Sequence, residues 1–232
     1  MTNRHAVFLD RPSRFVARVR LLDGTIQLVH VASSGRMTEL LVPGAATLIT
    51  GKGGPGRVTA GRLAMVQTGD TWVSVDTSVP GKVLGDALRR GTLDQFAGYD
   101  TVRPEYKFGA SRLDFLLSGP EVPQCLLEVK SVTSVVREAD GTLVARFPDA
   151  PTERGTRHLH ELASAVQQGY RAAVCLIVQR GDAQAVGPFD AIDPDFGAAL
   201  RSVHQKRVEV YGLQLIVDPA GIHLGGALPL RI

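Results

Sequence analysis

The chain has few cysteines and no long apolar run, and each shortage excludes a class of protein. Only two of its 232 residues are cysteine, which is too few for a disulfide-rich secreted scaffold or an ordinary zinc site. Cys125 and Cys175 both lie in apolar, strand-like segments, so we expect reduced core thiols and a cytoplasmic protein. No apolar run approaches the ~18 residues of a membrane span, and residues 1–20 lack the apolar segment of a signal peptide. We therefore expect no membrane association.

The chain has enough apolar residues to build a full core. Hydrophobic residues make up 44% of it and charged residues 21%, which excludes a disordered chain and suits one large or two small domains. Positive charge is concentrated in residues 1–80, where nine Lys and Arg face five Asp and Glu, while residues 81–232 carry a net charge of −1. A basic first part favours contact with a polyanion such as nucleic acid. An ordinary solvated surface with the same surplus is the alternative.

Short strands without a long helix are predicted for residues 1–80. Residues 15–21 alternate with period two, which places Arg18 and Arg20 on one face, and Asp23-Gly24 is a hairpin turn. Further strands are expected at 25–31, 45–50, 62–68 and 71–76, and a short helix near 37–41. This pattern predicts a small barrel of the OB type, a fold that binds strands of nucleic acid across one face.

A glycine-rich loop follows the expected strand at 45–50. Residues 51–56 match Gly-x-Gly-x-x-Gly, but Pro55 and the non-helical run after it exclude the helix that a dinucleotide site needs. No Gly-Lys-Ser/Thr follows, which excludes a P-loop. We expect a flexible barrel loop whose Lys52 and Arg57 contact phosphates.

Three ionisable residues interrupt two apolar segments that have the pattern of buried strands. Asp114 lies in the first segment, and Glu128 and Lys130 lie in the second. Residues two apart on a strand share a face, so two carboxylates and an ammonium converge if the strands pair as a hairpin. Such a set suits phosphodiester chemistry with Mg²⁺ or Mn²⁺. The alternative is an exposed ion pair that contributes about 1 kcal/mol.

The spacing Asp-x(13)-Glu-x-Lys, with both acids on strands, resembles that of the PD-(D/E)XK nuclease superfamily. In this interpretation Asp114 and Glu128 bind the metal with the Val129 carbonyl, because hard cations prefer oxygen ligands. Lys130 orients or activates a water and stabilises developing charge. Glu105 is either an outer-shell carboxylate or a surface glutamate of its strand.

Longer motifs surround these residues in a fixed order: EYKFG at 105–109, SRLDFL at 111–116, EVKSVT at 128–133, FPDAPTERG at 147–155 and IDPDF at 192–196. Together they resemble the sugar fermentation stimulation protein A (SfsA) family, almost from end to end. The resemblance implies an N-terminal OB-like barrel, a C-terminal nuclease-like domain and DNA binding.

Residues 81–232 are expected to form that second domain, an α/β (α+β) unit with a mixed central sheet. Helices are predicted at 83–96, at 153–168 and from 194 to about 206, and strands at 102–108, 111–117, 125–131, 172–179 and 208–217. Thr152 and Gly169 have the residue types that begin and end the second helix. The order α-β-β-β-α-β-α-β is that of the nuclease-like core.

Several cations are candidates for nucleic-acid contact. Arg154 and His158 share one helix face near a helix N-terminus, where backbone N–H groups favour anions, although capping and solvation explain the pair equally. Lys107 and Arg112 precede Asp114 and are placed to clamp the scissile backbone. The full set is Arg18, Arg20, Arg36, Lys52, Arg57, Lys107, Arg112, Arg154 and His158.

The sequence predicts a protein that binds DNA or RNA and carries a metal-dependent nuclease site. One alternative is a non-catalytic DNA-binding regulator of sugar metabolism on the same fold. Another is an interaction module whose charged strand residues are only ion pairs. The oligomeric state stays open, a dimer included.

Overall fold

The computed structural model describes residues 3–33, 35–51, 53, 56 and 58–232. Lys52 and Arg57, two of the predicted nucleic-acid contacts, lie outside the described residues. Within these ranges the chain forms an N-terminal barrel followed by an α/β domain with a mixed six-stranded sheet. No helix among the described residues is long and apolar enough to cross a membrane.

The barrel is built from β1 (Asn3–Ser13), β2 (Val16–Leu21), β3 (Ile26–Val31), β4 (Ala46–Thr50), β5 (Arg62–Thr68) and β6 (Thr71–Ser74). The strand order is β3-β2-β1-β4-β5-β6, and a parallel pairing of β3 with β5 closes the first five strands. Along β2, Ala17 and Val19 are buried while Arg18 and Arg20 are exposed. The predicted small barrel is confirmed.

One strand of the barrel was not predicted, and one local prediction was wrong. Strand β1 was not predicted, because Arg4, Asp10 and Arg11 interrupt the apolar alternation on which strand prediction depends. The helix expected near 37–41 is a turn, in which the N–H groups of Leu40 and Leu41 both donate to the Met37 carbonyl.

The rest of the chain forms α1 (Val79–Arg89), a 3₁₀ turn (Asp94–Phe96), β7 (Thr101–Phe108), β8 (Ser111–Gly119), β9 (Val122–Val132), β10 (Ser134–Arg137), β11 (Leu143–Phe147), α2 (Glu153–Gln167), β12 (Arg171–Val178), β13 (Ala185–Pro188), α3 (Pro194–Gln205), β14 (Glu209–Asp218) and β15 (Gly221–Leu228). The main sheet has the order β15-β14-β12-β9-β8-β7, and β10-β11-β13 form a smaller sheet. Strand β12 pairs in parallel with β9 and β14, and parallel neighbours need crossovers. Helices α2 and α3 lie in those crossovers, which confirms the mixed α/β sheet.

Local hydrogen bonds explain where the helices begin. The Thr152 hydroxyl accepts the N–H of Gly155 at 3.0 Å, and the Asp193 carboxylate accepts the N–H of Phe196 at 2.9 Å. Both are N-caps that satisfy a free amide of the first turn. Helix α1 begins at Val79, four residues earlier than predicted, because Pro80 is compatible with a first turn.

The main sheet is buried on both faces. On β12, Val174 and Leu176 pack toward α2 and α3, whereas Cys175 and Ile177 pack toward α1. A smaller apolar cluster joins the two parts of the chain, since barrel residues Leu48, Ala64, Met65 and Trp72 pack against Val217 and Ile222 of β14–β15. The barrel therefore docks through its β4–β6 side.

Candidate active site

Asp114, Glu128 and Lys130 come together where β8 and β9 diverge. These strands form an antiparallel hairpin in which Phe115 pairs with Leu127, so the next rung would place Asp114 opposite Glu128. Instead, the Asp114 carboxylate accepts the N–H of Val129 at 2.7 Å. Lys130 Nζ lies 2.7 Å from Glu128 Oε1. The hairpin thus brings together the three residues that the sequence singled out.

Burial sets the electrostatics of this group. Glu128 is 4% exposed and Lys130 is 8% exposed. Burial raises the pKa of Glu128, but the hydrogen bond from His158 and the charge of Lys130 outweigh it and hold that pKa below its usual value. Burial and the neighbouring Glu128 charge raise the pKa of Asp114 to about 6. The raised pKa means that burial and the charge of Glu128 disfavour the charged form of Asp114.

One buried oxygen of the site lacks a hydrogen-bond partner. Among the described residues, nothing donates to Oε2 of Glu128, and an unsatisfied buried acceptor is costly. The residues present fit a divalent cation: this oxygen, the Asp114 carboxylate and the Val129 carbonyl are the hard donors that such an ion prefers. No group of three or more His, Cys, Asp or Glu side chains in the described ranges is placed to hold a metal. Water and substrate would therefore supply the remaining ligands.

Helix α2 contributes a residue whose role the sequence analysis missed. His158 is buried, and its Nδ1 lies 2.5 Å from Glu128 Oε1, while Arg154 Nε donates to its Nε2 at 3.4 Å. The sequence paired Arg154 with His158 but expected both to face phosphate. The sequence spacing could have predicted that His158 is buried. It lies at helical spacing from Gly155, Leu159 and Leu162, and these residues form one buried stripe of the helix. Phosphate contact by these two residues stays a prediction.

Glu105 lies at the outer edge of the site. On β7, Pro104 pairs with Phe115 and Tyr106 with Leu113, so the register places Glu105 beside Asp114. Its φ of 55° takes it out of regular strand geometry, and its carboxylate pairs with Arg112 at 2.5 Å. Both side chains are exposed, so the pair contributes at most about 1 kcal/mol.

The carboxylates open into a cavity of about 720 Å³ between the barrel and the α/β domain. That volume is in the range of sites for small molecules and cofactors. The barrel contributes Ser33 and Gly35 to its wall, and the α/β domain contributes Arg154 and Asp149. Residues of the connection between the two parts and of α1 also line it: Val75, Thr77, Ser78, Pro80, Gly81, Lys82, Asp86 and Arg89.

A tight contact fixes the barrel side of the cavity. A Cβ on Gly35 would overlap the carboxylate of Asp149, so only glycine fits there without movement. The Arg11 guanidinium donates to the carbonyls of Arg14, Ser33, Gly35 and Arg36. Arg11 therefore holds the loop that approaches Asp149. The sequence analysis assigned no role to Arg11 or to Asp149.

The predicted nucleic-acid contacts of the barrel are on its surface. Arg18, Arg20 and Arg36 are exposed, and Arg18 pairs with Asp10. On the α/β domain, Lys107 of β7 and Arg112 of β8 are exposed and lie opposite each other in the strand register. These cations lie outside the buried carboxylate group, at positions accessible to a polyanion.

Comparisons with known proteins match this architecture. The family model of the sugar fermentation stimulation protein RE domain matches residues 78–221, and that of the SfsA N-terminal OB domain matches residues 9–75. The sugar fermentation stimulation protein homolog of Symbiobacterium thermophilum is 61% identical, over 98% of this chain and 94% of the relative. The homolog of Chloroflexus aurantiacus is 43% identical, over 97% of this chain and 84% of the relative. The structure of Pyrococcus furiosus SfsA in complex with Ca²⁺ superimposes with a TM-score of 0.89 at 28% identity, covering 100% of this chain and 96% of that one.

Proposed function

The chain belongs to the sugar fermentation stimulation protein family, and we propose that it is a nucleic-acid-binding protein with a divalent-metal-dependent nuclease site. The observation that carries this proposal is the buried Glu128, which keeps one oxygen without a partner among the described residues, beside Asp114 and Lys130. A module that only binds nucleic acid gains nothing from a partly buried Asp114 that repels the buried carboxylate of Glu128. Their repulsion lowers stability unless a cation joins them.

We assign Mg²⁺ or Mn²⁺ to Asp114, Glu128 and the Val129 carbonyl. The relative from Pyrococcus furiosus is in complex with Ca²⁺, which also takes oxygen ligands. When bound, such an ion supplies a polarised phosphoryl oxygen and a more acidic water. Lys130 Nζ, fixed at Glu128, would hold a water or a phosphate oxygen and stabilise the negative charge on the phosphoryl oxygens.

The charge of the cavity wall supports a metal-dependent mode of substrate binding. Its described lining has one more anionic than cationic side chain: the cations are Lys82, Arg89, Lys130 and Arg154, and the anions are Asp86, Glu105, Asp114, Glu128 and Asp149. A phosphate is therefore repelled from the cavity without metal. A divalent cation reverses the sign of the local charge, so the phosphate binds once the carboxylates are occupied.

In this proposal the barrel binds the part of the nucleic acid that lies outside the cavity. Exposed Arg18, Arg20 and Arg36 are available to phosphates outside the cavity. Because they lie apart from the carboxylates, binding by the barrel needs no metal, whereas cleavage does. Affinity should fall steeply with salt concentration, as it does wherever arginines displace phosphate counterions.

The test is cleavage of labelled single- and double-stranded DNA and RNA with Mg²⁺, Mn²⁺ or EDTA. We expect metal-dependent cleavage that falls by at least about 100-fold in Glu128→Gln and Lys130→Met. The matched control is Glu121→Gln, at the exposed turn between β8 and β9, which should cleave at the wild-type rate. Binding without cleavage under every condition would leave the non-catalytic DNA-binding regulator as the function. Cleavage at the wild-type rate by Glu128→Gln and Lys130→Met would refute the assignment of the nuclease site to these residues.

A further inference from the structure

An aromatic ring lies exposed just before β2. Phe15 is 47% exposed. Its ring stacks with His30 of β3, with centroids 6.4 Å apart and planes 27° apart, and the guanidinium of Arg14 lies 5.6 Å from the Phe15 centroid. Phenyl, imidazole and guanidinium groups are the side chains on which unpaired bases stack.

The surface next to this group combines cations with apolar side chains. Across β2 and β3, Val16 pairs with His30, Arg18 with Leu28, and Arg20 with Ile26. Arg18, Arg20 and Ile26 are exposed. Since the barrel docks on the α/β domain through its β4–β6 side, this face stays open to a ligand.

The exposed group is also connected to the wall of the active-site cavity. Arg11 donates both to the carbonyl of Arg14 and to those of Ser33 and Gly35, and the last two residues line the cavity. The carbonyl of Phe15 accepts the N–H of Val31, which ends β3 just before that loop. A strand bound at Phe15 therefore lies next to the loop that leads to the carboxylates.

We propose that Arg14, Phe15 and His30 form a platform on which bases of an unpaired nucleic-acid strand stack, with Arg18 and Arg20 on its phosphates. Bases inside a duplex stack on each other and offer no free face to a side chain, so the platform selects single strands or unpaired ends. The positive charge beside the ring favours a polyanion over an apolar protein partner. The role of the strand as substrate rests on the proposed nuclease function, whereas stacking at the platform does not.

The first test measures binding in EDTA, where no metal-dependent cleavage occurs. Fluorescence anisotropy compares a labelled oligothymidylate of about 12 nucleotides, within the site size of one OB fold, with a blunt duplex of the same length. We expect Phe15→Ala to weaken single-strand binding about tenfold or more and duplex binding less than about twofold. Phe15→Trp should retain binding. Leu22→Ala, which removes an 83% exposed apolar side chain from the next turn, should leave both affinities unchanged.

The second test reports contact directly. Trp72 is the only tryptophan of the chain, so the double variant Phe15→Trp/Trp72→Phe places a single indole on the platform. Its fluorescence should be quenched when oligothymidylate binds and not when duplex binds. Binding of oligothymidylate without quenching would overturn the platform. Equal losses of affinity for the single strand and the duplex in Phe15→Ala would overturn it as well. Because both tests run without metal, absence of cleavage would count against the nuclease proposal alone.

Discussion

His158 Nδ1 lies 2.5 Å from Oε1 of Glu128, inside the α/β domain. Arg154 Nε donates to the opposite ring nitrogen, Nε2. The ring proton of His158 is therefore on Nδ1, which donates a hydrogen bond to Glu128. Lys130 is a second donor to the same carboxylate oxygen. Two donors on Oε1 fix the carboxylate, which leaves Oε2 as the oxygen available to a cation.

Loss of the imidazole should weaken metal binding without removing a metal ligand. We expect His158→Ala to lower the affinity for Mn²⁺ by about 10- to 100-fold, the usual cost of losing a hydrogen bond that orients a ligand. His158→Asn, which keeps an N–H near the position of Nδ1, should lose less. Isothermal titration calorimetry measures both, with His160→Ala on the exposed face of α2 as the control. Equal losses in Ala and Asn variants would contradict the orienting role.

Asp114 should make the metal-free protein less stable at neutral pH. Its folded-state pKa is raised from 3.8 to about 6, so the native state binds the proton more tightly than the unfolded chain. The charged form therefore destabilises the fold above about pH 6, and this penalty disappears as the pH falls through 6 toward 4. Asp114→Asn should be more stable than wild type by about 1–3 kcal/mol near pH 8, with a smaller gain near pH 4.

Urea denaturation at the two pH values, in EDTA, measures this difference. Saturating Mn²⁺ should reverse the order, because a ligand that binds only the folded state stabilises it and the Asn variant binds the ion poorly. A variant that is less stable than wild type at every pH would show that Asp114 is a structural carboxylate.

The contact between Gly35 and Asp149 predicts coupling across the cavity. A Cβ at Gly35 overlaps the Asp149 carboxylate, so Gly35→Ala should cost about 1–3 kcal/mol, as overpacking does. In Gly35→Ala/Asp149→Ala the overlap is gone, and the second substitution should recover part of the loss. Gly81→Ala is the control, since a Cβ there meets no atom of the described residues within 4 Å. Additive effects of the two substitutions in thermal unfolding would contradict the contact.

Gln179 should hold the barrel against β9. It is fully buried, its Oε1 accepts from Ser74 at 2.9 Å, and its Nε2 donates to Ser131 at 2.8 Å. Gln179→Leu leaves the buried hydroxyl of Ser74 and the half-buried hydroxyl of Ser131 without these partners, so we expect a loss of about 1–3 kcal/mol. Gln168→Leu, an exposed residue at the end of α2, should change stability by less than about 0.5 kcal/mol. Chemical denaturation compares the two, and equal effects would refute the role of Gln179.

Local patterns in the sequence determined most of the fold. Alternation along β2 predicted a barrel strand with Arg18 and Arg20 outward, and the cap residue Thr152 marked the start of α2. These features depend on neighbours within a few residues, which a sequence displays directly. Strand β1 escaped prediction because its place is set by partners β2 and β4 rather than by its own alternation.

The sequence by itself determined which residues are candidates for the proposed chemistry: Asp114, Glu128 and Lys130 are identifiable because ionisable groups are costly inside apolar strands. Only the tertiary structure decided how they are held. His158 reaches Glu128 from a helix 30 residues away, and Gly35 reaches Asp149 from the barrel. The physical reason is that burial and hydrogen-bond partners depend on packing between distant segments, and no local pattern records which segments pack together.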